Sequence, residues 1–386
     1  MREQIYLDNA STSFPKAPGV VDAMRFFIED IGCNVNRGSY EGAYSAAGVV
    51  IETREKLAKL FGFPKSKNVI FTPNVTTSLN LLIKGLLRPG DHVLVSSMEH
   101  NGLMRPLVQM ESQGVRFTRL PCDNEGRLLL DQVTNNIEPA TKALFVLHAS
   151  NVCGTLLPIT ELGKICQRHG LFFVLDAAQT AGVFPLHMQE MHIDALAFTG
   201  HKSLLGPQGI GGFVIRDEMA EEVQPLLSGG TGSISDSESV PAFLPDRYEP
   251  GTMNLPGIYG LNASLTYLEE KGMDALRRRE LSLAQRLGEG LGALPQANII
   301  GHSDWQNRAP IVSVDFPLLD NAEISFRLAD EYNILTRCGL HCAPNAHKTL
   351  GTFPQGTVRF SPSHFNTEEE IDACLSAVAG ILSKRS

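Results

Sequence analysis

Several things that would organise or relocate a chain are missing here. The seven cysteines, Cys33, Cys122, Cys153, Cys166, Cys338, Cys342 and Cys374, form an odd set with no C-x-x-C pair. That excludes a disulfide framework and leaves a paired-knuckle zinc site without its ligands, so a reducing cytoplasm is the expected compartment. Cys338, His341, Cys342 and His347 stand close together, but their spacing matches no common zinc pattern, and no metal is expected. Nowhere do about 18 uncharged apolar residues follow one another, the length needed to span a bilayer. The opening MREQIYLDNA lacks the apolar stretch of a signal peptide, so neither membrane insertion nor export is expected. Positive charge is also short: 33 Lys plus Arg face 42 Asp plus Glu, a net charge of -9. The electrostatic footprint of a nucleic-acid-binding protein is absent. So are G-x-G-x-x-G, G-x-x-x-x-G-K-[ST] and G-x-S-x-G, which removes the anchors for dinucleotide binding, P-loop phosphoryl transfer and an α/β-hydrolase serine.

What is present is a globular α/β pattern. The 386 residues are 43% apolar and 19% charged, enough for a large core and, at about 150 residues per domain, for two or three domains. Short β-branched runs at Asn68–Phe71, Asp91–Ser96, Val115–Leu120, Lys142–Leu147 and Leu171–Leu175 alternate with helix-length segments. That alternation predicts a mostly parallel sheet flanked by helices. Ala195–Thr199 and Gly211–Ile215 read as further strands, and the polar stretch Ser228–Pro245 as a long loop. From about Pro256 the pattern shifts to two long helices, strands near Ile311–Phe316 and Thr357–Phe360, and a last helix announced by a Thr367/Glu370 capping box. The expected division is an N-terminal segment 1–17 packing with the C-terminal domain, a large domain over 18–255, and a smaller α+β domain over 256–386 carrying Arg359 and Cys342.

Chemistry concentrates where strands end. Val174-Leu-Asp-Ala-Ala-Gln179 and Phe198-Thr-Gly-His-Lys202 each close a strand, and in an open α/β sheet ligands bind beyond the carboxyl ends of strands. Asp176 and Lys202 therefore face one crevice. A lysine able to form a Schiff base, with a carboxylate for a ring nitrogen, is what pyridoxal phosphate asks of a protein.

The succession Asp176-Ala-Ala-Gln179, Thr199-Gly-His-Lys202 and Gly206-Pro-Gln-Gly-Ile-Gly resembles the class V aminotransferase family of pyridoxal phosphate enzymes. The likeness runs from Tyr6-Leu-Asp-Asn-Ala through Asn36-Arg-Gly-Ser, Thr76-Thr77, Glu99-His100-Asn101 and Ser150-Asn-Val-Cys-Gly-Thr155 to Arg337-Cys-Gly-Leu-His-Cys342 and Val358-Arg359. It is nearest the SufS-type cysteine desulfurases, the group that also holds selenocysteine lyases. The resemblance implies a fold-type I homodimer with pyridoxal 5'-phosphate at the subunit interface. It implies that L-cysteine is converted to L-alanine and the sulfur passed, as a Cys342 persulfide, to a small thiol or to a sulfur-acceptor protein such as iron–sulfur cluster assembly uses. Selenocysteine lysis or another class V lyase or aminotransferase reaction is the alternative.

Carried over by position, Lys202 would form the Schiff base, Asp176 would pair with the ring nitrogen and Gln179 with the phenolic oxygen. His100 would stack on the ring, while Thr76, Thr77, Thr199 and His201 would cup the phosphate, completed by Thr252 of a second copy. Arg359 would take the substrate carboxylate, suited to it by a planar fork, and Arg337, Arg37, Asn36 and Asn151 would finish the pocket. Cys342 would be the nucleophile. Asn36 and Leu340 stand where the SufS-type pattern has histidines, and Lys202-Ser-Leu-Leu-Gly206 is one residue longer than its K-x-x-G.

Overall fold

A computed structural model describes residues 4–35, 40–234 and 236–383. Its strands are β1 Ile5–Tyr6, β2 Val69–Thr72, β3 His92–Ser96, β4 Arg116–Leu120, β5 Thr141–Leu147, β6 Phe172–Asp176, β7 Ala195–Thr199, β8 Gly211–Ile215, β9 Asn298–Ile300, β10 Val312–Asp315, β11 Ile334–Leu335, β12 Arg337–Gly339 and β13 Thr357–Phe360. The main sheet has the order β2-β8-β7-β6-β5-β3-β4. Only β8 runs against the others.

Both faces of this sheet are covered, which is why its inner strands read as unbroken apolar runs. Alternate residues go to two separate cores. Leu94, Leu144, Val146, Phe173, Leu175 and Phe198 pack on the side of helices Glu41–Leu60, Ile159–His169 and Leu255–Lys271. Val93, Val95, Phe145, Val174 and Ala197 pack on the side of Val75–Leu86 and Asn101–Glu111. Because β2, β3, β5, β6 and β7 share one direction, the residues that follow each of them emerge along the same rim.

A second sheet, order β12-β13-β10-β9, is antiparallel. Helices Met273–Gly292, Asn321–Tyr332 and Glu368–Ser383 cover it with Leu283, Leu287, Ile324, Leu328, Ile371 and Val378. The last of these helices carries the expected capping box: Glu370 N–H donates to Thr367 Oγ1 (3.2 Å) and Thr367 N–H to Glu370 Oε2 (3.0 Å). Near the N-terminus, β1 pairs in parallel with β11, and Asp8 bridges to Ser361. That pairing carries Asp8 and Ser11 next to β13. Helix Leu255–Lys271, which the sequence pattern assigned to the second domain, instead buries Ile258, Leu261, Leu265 and Leu268 in the core shared with Glu41–Leu60. The sequence pattern marks the helix but not the core that receives it. No described helix is long and apolar enough to cross a membrane.

Candidate active site

The rim above β2, β3, β5, β6 and β7 gathers most of the expected residues. Asp176 ends β6 and is buried, with Oδ1 accepting from Ala178 N–H (2.9 Å). Burial pushes its carboxyl up, opposed by that hydrogen bond and by the Lys202 charge. Lys202 stands three residues past β7, and burial lowers its amine to about 8, with Asp176 pulling the other way. A lysine so placed is partly neutral near neutral pH, the form in which an amine is a nucleophile. Gln179 is buried and donates from Nε2 to Ala10 C=O (3.0 Å).

Helix Val75–Leu86 starts one residue before Thr76. Its cap is Asn74, whose Oδ1 accepts from Thr77 N–H (3.0 Å) and Thr77 Oγ1 (3.2 Å). The N–H groups of Val75 and Thr76 remain for an anion. Across the rim, Thr199 Oγ1 and His201 Nδ1 are buried with no hydrogen-bond partner among the described residues. Orphaned polar atoms in such a place are satisfied by a ligand or by water. His100 caps Asn101–Glu111, and its Nδ1 accepts from Gly102 N–H (2.9 Å). Burial, then the charges of Lys202, Arg359, Arg105 and Arg337, lower it to about 4. The ring is therefore neutral at pH 7 and, with Nδ1 an acceptor, carries its proton on Nε2.

Cys342 lies on the other wall. It and His341 both take left-handed backbone angles, φ 58° and 46°, uncommon for residues with a Cβ and a cost that surrounding contacts must hold in place. Three contacts do so. Asn101 N–H donates to Cys342 C=O (2.8 Å), Asn151 Nδ2 donates to His341 C=O (2.8 Å), and His341 Nε2 meets Thr357 Oγ1 at 3.2 Å. The Cys342 side is exposed, and with His100 and Thr76 it lines a cavity of about 270 Å³.

Arg359, on β13, is buried. Nη1 donates to Asn151 C=O (2.9 Å), and Nη2 to Asp8 Oδ1 (3.0 Å) and Ser11 Oγ (2.7 Å), while Nε has no partner. Arg337 reaches the same Ser11 from Nη1 (2.7 Å) and is half exposed. Thr252 is exposed and is not among the residues lining the cavities that hold Lys202 or Cys342. Asn36 and Arg37 lie outside the described residues.

Some contributors escaped the sequence reading. Asp8 and Ser11, to which the sequence assigns no role, hold Arg359. Glu99 is fully buried and accepts from Ser96 Oγ and from Leu147 N–H (3.0 Å), fastening the His100 turn to the end of β5. Burial raises its carboxyl to about 8.

Arg308 is 1% exposed and has no acidic partner within ion-pair reach among the described residues. Its guanidinium donates to four carbonyls, those of Cys153 (2.9 Å), Ile300 (3.0 Å), His302 (3.1 Å) and Ile311 (3.1 Å), and lies 4.4 Å from the centre of the Trp305 ring. It ties the turn that carries Asn151 to the edge of the second sheet. Arg308→Met is expected to leave those carbonyls unpaired and to destabilise the fold by at least about 3 kcal/mol, measured by denaturant titration. A change under about 1 kcal/mol would show that water replaces the arginine without loss.

Comparison with known proteins agrees with this geometry. The profile of the family Aminotransferase class-V matches residues 5–374. A probable cysteine desulfurase of Pyrococcus abyssi is 34% identical over 384 residues, covering 98% of this chain and 94% of its own. A cysteine desulfurase of Haloferax volcanii is 30% identical, covering 97% and 88%. Among solved structures, the apo cysteine desulfurase of Thermococcus onnurineus superposes with a TM-score of 0.92 at 34% identity, over 99% of this chain and 95% of that one. A cysteine desulfurase of Escherichia coli superposes with a TM-score of 0.89 at 29% identity, over 98% and 95%.

Proposed function

The chain belongs to the class-V aminotransferase family, and we propose that it is a pyridoxal-phosphate-dependent cysteine desulfurase, which moves the sulfur of L-cysteine onto Cys342 and releases L-alanine. The observation that carries this reading is the pairing of two walls: Lys202 and Asp176 on the sheet rim, and Cys342 on a strained loop pinned by Asn101 and Asn151 beside His100.

The residues present fit the cofactor. Lys202 would hold it through its amine, Asp176 through the carboxylate oxygen that Ala178 leaves free, and the orphaned Thr199 and His201 with the free N–H groups of Val75 and Thr76 would take a phosphate. Gln179, His100 and Thr77 would border it. Bound pyridoxal phosphate supplies an electron sink for the bonds at an amino acid's Cα.

The chain's own groups do the rest. Arg359 Nε, buried and unpartnered, and the exposed fork of Arg337 offer donors for the substrate carboxylate. Asn151 joins the two halves, since its C=O orients Arg359 while its amide holds the Cys342 loop. His100 presents a proton at Nε2. The Cys342 thiolate attacks the sulfur of cysteine, the Cβ–S bond breaks, and the sulfur stays on Cys342 as a persulfide. The carbon skeleton takes protons and leaves as alanine, so that atoms and electrons balance without an outside oxidant. The test is incubation of the holoenzyme with L-cysteine, with alanine quantified and Cys342 examined by mass spectrometry. One added sulfur on Cys342 per site with matching alanine is expected. Alanine without sulfur on Cys342, or keto acid in its place, would overturn the reading.

Arg359→Lys is expected to raise the KM for cysteine by at least about tenfold while kcat falls less, because an ammonium keeps the charge but cannot hold Asn151, Asp8 and Ser11 and still present the donor that Arg359 has at Nε. Steady-state kinetics check this, and an unchanged KM would move the carboxylate to Arg337.

We also read the working form as a homodimer. Val21, Phe26, Ile28, Tyr44 and Ile51 are exposed on the helical segments Val20–Phe26, Phe27–Ile31 and Glu41–Leu60, which pack with Leu255–Lys271, and Leu227 is exposed after helix Asp217–Glu222. Apolar side chains exposed on one layer support this reading, since large apolar patches are typical of protein–protein interfaces. Thr252, exposed here, is then free to complete the phosphate site of the second copy. Sedimentation should give twice the chain mass, and an active monomer at assay concentration would sink this point. Within each copy we place the domain division after Lys271, since Leu255–Lys271 packs with the larger body. A reducing cytoplasm suits seven free cysteines.

A further inference from the structure

The cavity of about 270 Å³ at Cys342 extends beyond the residues that the reaction with cysteine uses. Besides Thr76, His100 and Cys342 it is lined by Asn80, Arg105 and Gln109, and no carboxylate borders it among the described residues. Arg105 is exposed on helix Asn101–Glu111, one turn past His100, and has no hydrogen-bond or ion-pair partner among the described residues. It is close enough for its charge to act on His100. Asn80 donates from Nδ2 to Thr76 C=O (3.0 Å), which fixes its amide at the edge of the cavity. A vestibule with one unspent guanidinium, side-chain amides and no negative charge is complementary to an anion. Cys342 sits at its edge.

We propose that this vestibule is the subsite for the sulfur acceptor, and that the acceptor is a small thiol bearing a carboxylate, which Arg105 binds while the acceptor's own sulfur faces Cys342. This rests on the desulfurase reading for its chemistry. The acceptor thiolate attacks the outer sulfur of the Cys342 persulfide, the S–S bond breaks, the acceptor leaves as its own persulfide, and Cys342 returns as a thiolate. No oxidant or reductant is consumed. Arg359 and Arg337 lie on the amino-acid side with Asp8 and Ser11, and among the described residues that line the vestibule Arg105 is the cation available to the second reactant.

Two measurements on the holoenzyme test it. In the first, Cys342 loaded with sulfur by L-cysteine is mixed with 3-mercaptopropionate, 2-mercaptoethanol or cysteamine, and the loss of sulfur is followed by mass spectrometry. The carboxylate thiol should unload the enzyme at a half-saturating concentration at least about tenfold below the neutral one, and Arg105→Met should erase that gap while Arg105→Lys keeps part of it. Loading by cysteine should be unchanged in both variants. In the second, unloaded holoenzyme is alkylated at Cys342 with iodoacetate or iodoacetamide, and the ratio of the two rates should fall by about tenfold in Arg105→Met. That ratio needs no sulfur transfer, so it separates the fates of the two readings. If Cys342 takes up no sulfur, the desulfurase reading fails and the transfer step with it, whereas an unchanged alkylation ratio overturns the anion subsite alone. Unloading indifferent to thiol charge, a raised KM for cysteine in Arg105→Met, or a shift of that variant from dimer to monomer would each assign Arg105 elsewhere and overturn the proposal.

Discussion

Lys202→Ala is expected to stop alanine release from cysteine, a fall of at least about a thousandfold, while leaving the fold intact. The physical case starts from burial. Removing an ammonium from water disfavours its charged form, and here the amine titrates at about 8 although Asp176 opposes the shift. The neutral amine is what attacks a carbonyl, and the described rim brings no second lysine to the Asp176 carboxylate. Borohydride reduction followed by peptide mapping checks the assignment without relying on turnover. The wild-type holoenzyme should yield a single reduced adduct at Lys202, and the variant none. An adduct of the variant at another lysine, with activity kept, would move the site. Thermal unfolding of the variant guards against a trivial explanation, because a side chain standing in a crevice contributes little packing when removed.

Much of this rim was legible in the sequence because each piece is local. A parallel strand buried on both faces reads as an apolar run, and the residues just past it must face the crevice, so Asp176, Thr199, His201 and Lys202 could be placed from two short segments. The helix Leu255–Lys271 was legible as a helix, but which core received its apolar face depends on packing against residues some two hundred positions earlier. The partners of Arg359 were hidden for the same reason: Asp8 and Ser11 lie near the opposite end of the chain and arrive only through the pairing of β1 with β11. Arg308 gave no signal at all. An arginine in an irregular segment reads as a surface charge, and only the folded seam shows it buried among four carbonyls. The backbone of His341 and Cys342 is a similar case, since neither residue announces a left-handed conformation as glycine or asparagine would.

That strained loop is also where the most discriminating substitution falls. Lys202 would serve any reaction of the family, whereas a sulfur nucleophile is needed only where sulfur must be taken from the substrate. Cys342→Ser keeps the volume and the hydrogen bonds that pin the loop, because Asn101 N–H donates to the main-chain carbonyl of residue 342 and Asn151 to that of 341. What changes is the nucleophile: an alcohol ionises far above a thiol and is a poor match for soft sulfur. Cysteine should therefore still bind, seen as a change in the protein's visible absorbance. Alanine release should fall by at least about a hundredfold, and no sulfur should accumulate on residue 342. Selenocysteine should lose less than cysteine, since selenium departs from carbon more readily and leans less on a protein thiol. Alanine and sulfide released from cysteine at the wild-type rate by Cys342→Ser would exclude the persulfide route, and a lyase reaction without a protein thiol, or transamination, would take its place.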